Sequence, residues 1–217
     1  MTSAEPTLFL VDDDPTLCES IRYLGASIGL PVETYSDPRV FLDVFDPERP
    51  GCLLLDLLLP GMSGLDLQQA LARRGALLPI IFLSAHGDIP AAVRAVQNGA
   101  LEFFEKAADP TLLLNRVHEA FEIDRQRRRR LARRSQIEEM LNRLTRRERE
   151  VMELVAVGKA NKVIAEDLVL SAKTIEHHRA HMTSKLRVAS VAALVKLLIE
   201  YRDLCDLGPA GPSGKRH

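Results

Sequence analysis

The chain has 217 residues, 46% hydrophobic and 27% charged, a globular balance with room for one large or two small domains. It lacks any run of about 18 apolar residues, which excludes a membrane-spanning helix, and its opening MTSAEPTLFLVDDD has neither the basic start nor the apolar stretch of a secretory signal. The net charge of −1 hides a division: residues 1–123 carry 18 acidic and 8 basic side chains, residues 124–217 carry 12 and 21, so the second half is a candidate for nucleic acid.

The first half alternates short apolar runs with helical patterns. Thr7–Val11, Val32–Tyr35, Cys52–Asp56, Ile80–Ser84 and Glu102–Glu105 read as strands. Between them Pro15–Ile28, Arg39–Phe45, Gly64–Arg74 and Pro90–Asn98 read as helices, and a fifth opens near Asp109–Pro110. Asp14-Pro15 and Asp109-Pro110 have the form of an N-cap followed by proline at the first helical position, and Asn98-Gly99 closes a helix. Five strands alternating with five helices predict an α/β fold, a doubly wound five-stranded parallel sheet of flavodoxin-like topology. Residues 124–141 change to a basic stretch without Pro or Gly. Apolar positions are too few there for a coiled-coil seam, so an exposed linker helix is expected. Residues 142–204 then show four helical patterns, Arg146–Val157, Lys162–Leu168, Thr174–Leu186 and Val191–Tyr201, a small all-α domain. Residues 205–217, rich in Gly and Pro, read as a disordered tail. Cys18, Cys52 and Cys205 are odd in number, match no metal spacing and read as free thiols of a reducing compartment.

Chemistry in a doubly wound sheet gathers beyond the carboxyl ends of its strands. Those ends carry Asp12-Asp13-Asp14, Asp56 and Ser84, with Lys106 just past the fifth strand. If the first strand neighbours the third, Asp12, Asp13 and Asp56 converge, and three repelling carboxylates call for a hard divalent cation such as Mg²⁺. Ser84 and Lys106 then stand where phosphoryl oxygens would sit, with Asp56 as the carboxylate nucleophile. Taken singly, each residue could equally cap a helix or face solvent. A flavodoxin-like cofactor enzyme is the rival reading, but it needs a Ser/Thr/Gly-rich phosphate loop where this chain has three acids.

The segments LVDDDP, LLLDLLLPGMSG, IIFLSAHGD and GALEFFEKA, in this order and spacing, resemble the receiver domain of two-component response regulators over about residues 6–123. The resemblance implies that Asp56 is the phosphoacceptor and that Asp13, Asp56 and the backbone carbonyl of Leu58 bind Mg²⁺, with Asp12 acting through metal-bound water. It also makes Ser84 and Phe103 a switch pair. One departure stands out: receivers usually carry a cis-joined proline after the lysine, whereas Ala107 follows Lys106. A cis bond before a non-proline costs about 2.5–4 kcal/mol, so this loop is expected either to be trans with Lys106 displaced, or to be strained.

In the basic half, Thr145 and Glu148 have the spacing of a capping box. Ser171 stands as an N-cap ahead of Thr174, and Ile175, Met182 and Leu186 form an inward stripe. Glu176, His177, Arg179, Ala180, His181 and Lys185 are left largely outward. Two short helices, a tight turn and a polar-faced second helix suit a helix-turn-helix, although a protein-docking bundle shares that pattern. LTRREREV, VAVGKANKVIA, SAKTIEHH and the later KL resemble the LuxR-type helix-turn-helix, and with a receiver this is similar to the NarL/FixJ subfamily. That resemblance implies phosphate contacts from Asn161, Lys162, Lys173, Thr174, Arg179 and Lys185, and base-edge contacts from Glu176, His177, Ala180 and His181. It also implies a non-enzymatic cytoplasmic transcription regulator. Its partners would be a sensor histidine kinase and promoter DNA, with RNA polymerase a further candidate, and it would form a phosphorylation-dependent homodimer. The alternative is a phosphorylation-independent DNA binder or docking module.

Overall fold

The computed structural model describes residues 5–85, 89–107 and 109–206, which divide into two compact units between Arg128 and Arg129. In the first unit β1 (Thr7–Val11), α1 (Pro15–Ser27), β2 (Val32–Tyr35), α2 (Pro38–Val44), β3 (Gly51–Asp56), α3 (Gly64–Arg73), β4 (Ile80–Ser84), α4 (Ile89–Gln97) and β5 (Glu102–Glu105) alternate. The strands lie all parallel in the order β2-β1-β3-β4-β5, the doubly wound sheet expected of them. The apolar runs of β1, β3 and β4 are continuous because both their faces are covered. Phe9, Val11, Leu53, Leu55 and Phe82 pack with Phe41 and Leu67 on one side. The alternate residues Leu8, Leu10, Cys52, Leu54 and Ile81 pack with Ile21 and Val117 on the other. Cys18 and Cys52 are buried and free.

Because β2 lies on one side of β1 and β3 on the other, the order reverses at β1, and the crevice of an open sheet opens at such a reversal. The register Val11↔Leu55 sets the ends of β1 and β3 side by side.

α5 is one helix from Pro110 to Asn142, opened by Asp109, whose carboxylate accepts the Thr111 N–H at 2.8 Å. The basic stretch is helical, with residues 129–132 exposed, and each of its ends is anchored within its own unit. Within the first unit Asp124 is buried and accepts the Gly51 N–H at 3.0 Å and Arg128 Nε at 2.8 Å. Arg128 in turn reaches the carbonyls of Pro47, Glu48 and Arg49 at 3.0, 3.0 and 2.6 Å. Within the second unit Ile137 and Leu141 enter the core. Buried polar groups need partners, and Asp124 and Arg128 find theirs across the α2–β3 loop, which a composition count cannot foresee.

The second unit continues with α6 (Arg146–Ala156), α7 (Asn161–Leu168), α8 (Ala172–Leu186) and α9 (Val191–Asp206). Val151, Val155, Ile164, Ile175, Met182, Leu186, Leu194 and Leu197 form its core. The capping box of α6 is complete: Thr145 Oγ1 accepts the Glu148 N–H, and Glu148 accepts the Thr145 N–H at 2.7 Å. Between α7 and α8 the chain turns through Val169, which adopts the left-handed conformation at φ 54. α9 extends through Asp206, so Cys205 and Asp206 are helical rather than tail, while the expectation of disorder beyond them falls outside the described residues. Among the described residues no helix is long and apolar enough to cross a membrane.

Candidate functional site

At the carboxyl edge of the first unit's sheet, Asp12 follows β1 and is wholly buried, Asp13 beside it is exposed, and Asp56 ends β3 at 6% exposure. Ligand oxygens of the three lie within 4.8 Å of one another. The chain holds them in place locally. The Asp14 N–H donates to Asp12 Oδ1 at 2.9 Å, while the Asp14 carboxylate caps α1 by accepting the Thr16 N–H at 2.9 Å. The exposed Leu58 donates its N–H to Asp56 Oδ1 at 3.3 Å. Gly64 opens α3 against the same corner: a Cβ there would stand 2.2 Å from the Asp56 carbonyl oxygen, so only glycine lets the helix start so close to the strand end.

Lys106 closes the pocket. Its Nζ lies 2.8 Å from Asp12 Oδ2 and 2.9 Å from Asp56 Oδ2. The expectation of a displaced or strained Lys106 is not met, since among the described residues no peptide is cis and the ammonium still reaches both carboxylates. The backbone is placed before residue 107 matters, because the Lys106 N–H donates to the Ser84 carbonyl at 2.8 Å as the last rung between β4 and β5. Four flexible methylenes then span the remaining gap. Ser84 is buried at the end of β4. Phe103, half-buried on β5, stacks on Phe82 with centroids 6.4 Å apart.

Burial disfavours charge on Asp12 and on Lys106. It raises the Asp12 carboxyl above its ordinary value despite hydrogen bonds from Lys106 and Asp14. Burial also works against the Lys106 ammonium, but the bonds to Asp12 and Asp56 outweigh it and hold its pKa above the usual lysine value. The donor set fits a hard divalent cation: it is all oxygen, and one carboxylate is solvent-facing. The buried Asp12 Oδ2 meets Lys106 as an ion pair and has no hydrogen bond of its own.

In the second unit α8 turns Ile175, Met182 and Leu186 inward and leaves Lys173, Glu176, His177, Ala180 and His181 exposed. Ser171 caps it, accepting the Thr174 N–H at 3.0 Å, and the Thr174 hydroxyl lies 2.7 Å from Ser171 Oγ. On α7, Lys162 is exposed. The remaining residues expected to meet phosphate are engaged within the unit. Arg179 donates to Asn161 Oδ1 at 2.5 Å, tying α8 to α7. Lys185 donates to Glu148 at 2.6 and 2.9 Å, tying α8 to α6. Glu148 is only 2% exposed. Burial alone would raise its carboxyl, but Lys185 and the Thr145 N–H outweigh that and bring its pKa down to about 2. Its capping role was visible from the Thr145–Glu148 spacing, but its pairing with a lysine 37 positions later had no local signal.

Comparison with known proteins agrees with both units. Residues 8–118 match the response regulator receiver domain family, and residues 142–198 match the bacterial regulatory proteins of the luxR family. The chain is 37% identical to response regulator protein TodT of Pseudomonas putida over 203 residues, 94% of this chain and 89% of that protein. It is 36% identical to transcriptional regulatory protein FixJ of Azorhizobium caulinodans over 201 residues, 93% of each. Among solved structures, response regulator StyR shares 40% identity with a TM-score of 0.86, covering 91% of this chain and all of that one. Full-length FixJ from B. japonicum shares 30% with a TM-score of 0.56, covering 91% and 98%.

Proposed function

Because the chain belongs to the two-component response regulators of the NarL/FixJ kind, in which a receiver domain is joined to a LuxR-type DNA-binding domain, we propose that Asp56 accepts a phosphoryl group from a sensor kinase and so governs engagement of promoter DNA by α8. The carrying observation is the seat of Lys106, whose ammonium lies between Asp12 and Asp56 at the mouth of the sheet. In the transfer, an Asp56 carboxylate oxygen attacks the phosphorus of the kinase phosphohistidine. The O–P bond forms, the N–P bond breaks, and the imidazole leaves with the bonding electron pair. Asp12, Asp13, Asp56 and the Leu58 carbonyl are the groups that would hold Mg²⁺, which when bound offsets the negative charge gathered there. Lys106 is already placed to donate to the incoming phosphoryl oxygens.

Phosphorylation brings about −2 of charge to the Asp56 side chain. The Ser84 hydroxyl and Lys106 move toward it, and Phe103 turns into the space vacated. α4 leaves Ile89, Val93 and Val96 exposed on successive turns, an apolar strip on which two phosphorylated copies pair. Paired copies then hold two α8 helices against symmetric half-sites. On DNA, Lys162, Lys173 and Thr174 meet phosphates. Glu176, His177, Ala180 and His181 face base edges, Glu176 accepting from a cytosine amino group. Asn161, Arg179 and Lys185 act chiefly by fixing the pose of α8. The test is a gel shift on DNA selected from a random pool. An acyl-phosphate donor tightens binding of the native chain and leaves Asp56→Asn unchanged, and equal binding by both proteins, with and without donor, refutes the reading.

A further inference from the structure

We propose that His177 and His181 form a two-imidazole chelate for a divalent transition metal of the Zn²⁺ class, and that metal and DNA compete for this face of α8. The competition rests on the reading of α8 given above, whereas the chelate stands on its own geometry. Residues four apart on a helix face each other from consecutive turns. Here both rings are exposed and their centroids lie 4.0 Å apart. Two Zn–N bonds of about 2.0–2.1 Å at a tetrahedral angle place the two nitrogens roughly 3.4 Å apart, so rotation of the rings about their own bonds suffices. Imidazole nitrogen suits zinc, copper and nickel and not Mg²⁺, which separates this site chemically from the all-oxygen pocket.

A carboxylate stands close to the pair. His181 Nδ1 lies 3.9 Å from Glu148 Oε1, beyond a hydrogen bond. His181 Nε2, on the far side of the ring from that contact, serves as the donor atom. Lys185 is neutralised by Glu148 and Arg179 is held on the Asn161 amide, while Lys173, one turn before His177, stays exposed. Glu176 adds a further exposed carboxylate on the same helix. Water fills the remaining coordination positions. A metal held here takes the ring nitrogens away from base edges and places a hydrated ion where the groove floor would come. Zinc therefore releases DNA.

The full chain, stripped of metal and kept in millimolar Mg²⁺ to fill the acidic pocket, is titrated with Zn²⁺ against a chromophoric indicator. The native chain and His118→Gln hold one more zinc than the double variant H177Q/H181Q. An outer-shell partner alone is worth about 10–100-fold in metal affinity, so each single variant weakens binding by at least about tenfold. Equal stoichiometry and affinity in native and double-variant chains overturns the site and leaves the DNA reading untouched. By reciprocity, saturating DNA lowers the zinc affinity of the native chain by the factor by which zinc lowers its DNA affinity, and chelator restores binding. If zinc sits on the pair while DNA affinity is unmoved, the competition is refuted. If the double variant binds selected DNA like the native chain in chelator, the placing of these histidines at base edges falls and the zinc count alone decides the chelate.

Discussion

Replacing Glu148 by Gln tests how α6 and α8 are held together. Glutamine keeps the reach-back to the Thr145 N–H that a capping box requires, so the substitution removes the charge and one of the two oxygens to which Lys185 donates. The native carboxyl has a folded pKa of about 2 against 4.5 ordinarily, and each unit of difference is worth about 1.36 kcal/mol. Ionised Glu148 therefore contributes about 3 kcal/mol at neutral pH. The group is 2% exposed, so solvent screening takes little from this. Its folded pKa is depressed, so the contribution is complete above the unfolded value and is lost as pH falls through the folded one. Near pH 3 about 1 kcal/mol of it remains. Hydrogen-exchange mass spectrometry on peptides of α6 and α8 in the full chain reads these opening energies. The expected result is a deficit of about 3 kcal/mol for E148Q at neutral pH that narrows progressively below pH 4.5. A deficit under about 1 kcal/mol, or one that does not change with pH, would refute the ion pair as the tie between the helices.

Three further substitutions separate other features. Arg128→Ala leaves the carboxylate of Asp124 buried with the Gly51 N–H as its remaining partner. The cost is about 3 kcal/mol, seen in a urea melt and as faster exchange at the start of β3; a change under 1 kcal/mol would show that the clamp is incidental. Gly64→Ala forces a Cβ toward the Asp56 carbonyl, which destabilises the first unit by about 1–3 kcal/mol and slows acyl-phosphate labelling of Asp56, measured on phosphate-affinity gels. Unaltered labelling would argue against that close approach. Val169→Gly relieves a β-branched residue held at φ 54 and 89% exposed. Left-handed strain of about 1–2 kcal/mol exceeds the entropy glycine adds to the unfolded chain, so stability rises by up to about 1 kcal/mol, and a lower melting temperature would contradict it.

The central strands β1, β3 and β4 were legible because both sheet faces are covered there, so each appears as an apolar run closed by a polar residue, while the edge strands β2 and β5 mix polar and apolar residues and are mostly half-buried. From the alternation alone came parallel strands, from parallel strands came a crevice at their carboxyl ends, and from that came Asp12, Asp13 and Asp56 as one cluster. Capping at Asp14, Thr145 and Ser171 was equally legible, since a cap is a contact between residues two or three apart. The residue after Lys106 has less influence than a loop preference implies, because the Lys106 N–H bond to the Ser84 carbonyl already fixes the Lys106 backbone.

Lys185 shows where reading along the chain stops. A helical wheel correctly puts it away from the inward stripe, but only the packing of α6 on α8 supplies the buried carboxylate that holds it. Asp124 and Arg128 are alike: four apart on one helix, they look like a surface pair, yet their partners come from the α2–β3 loop and the start of β3, 73–81 residues earlier, and turn them into an anchor. Periodicity and spacing carry the fold and the acidic cluster because those depend on local geometry repeated in every strand and helix. Which charges remain free for a ligand depends on distant groups meeting when the elements pack, and no local pattern encodes that.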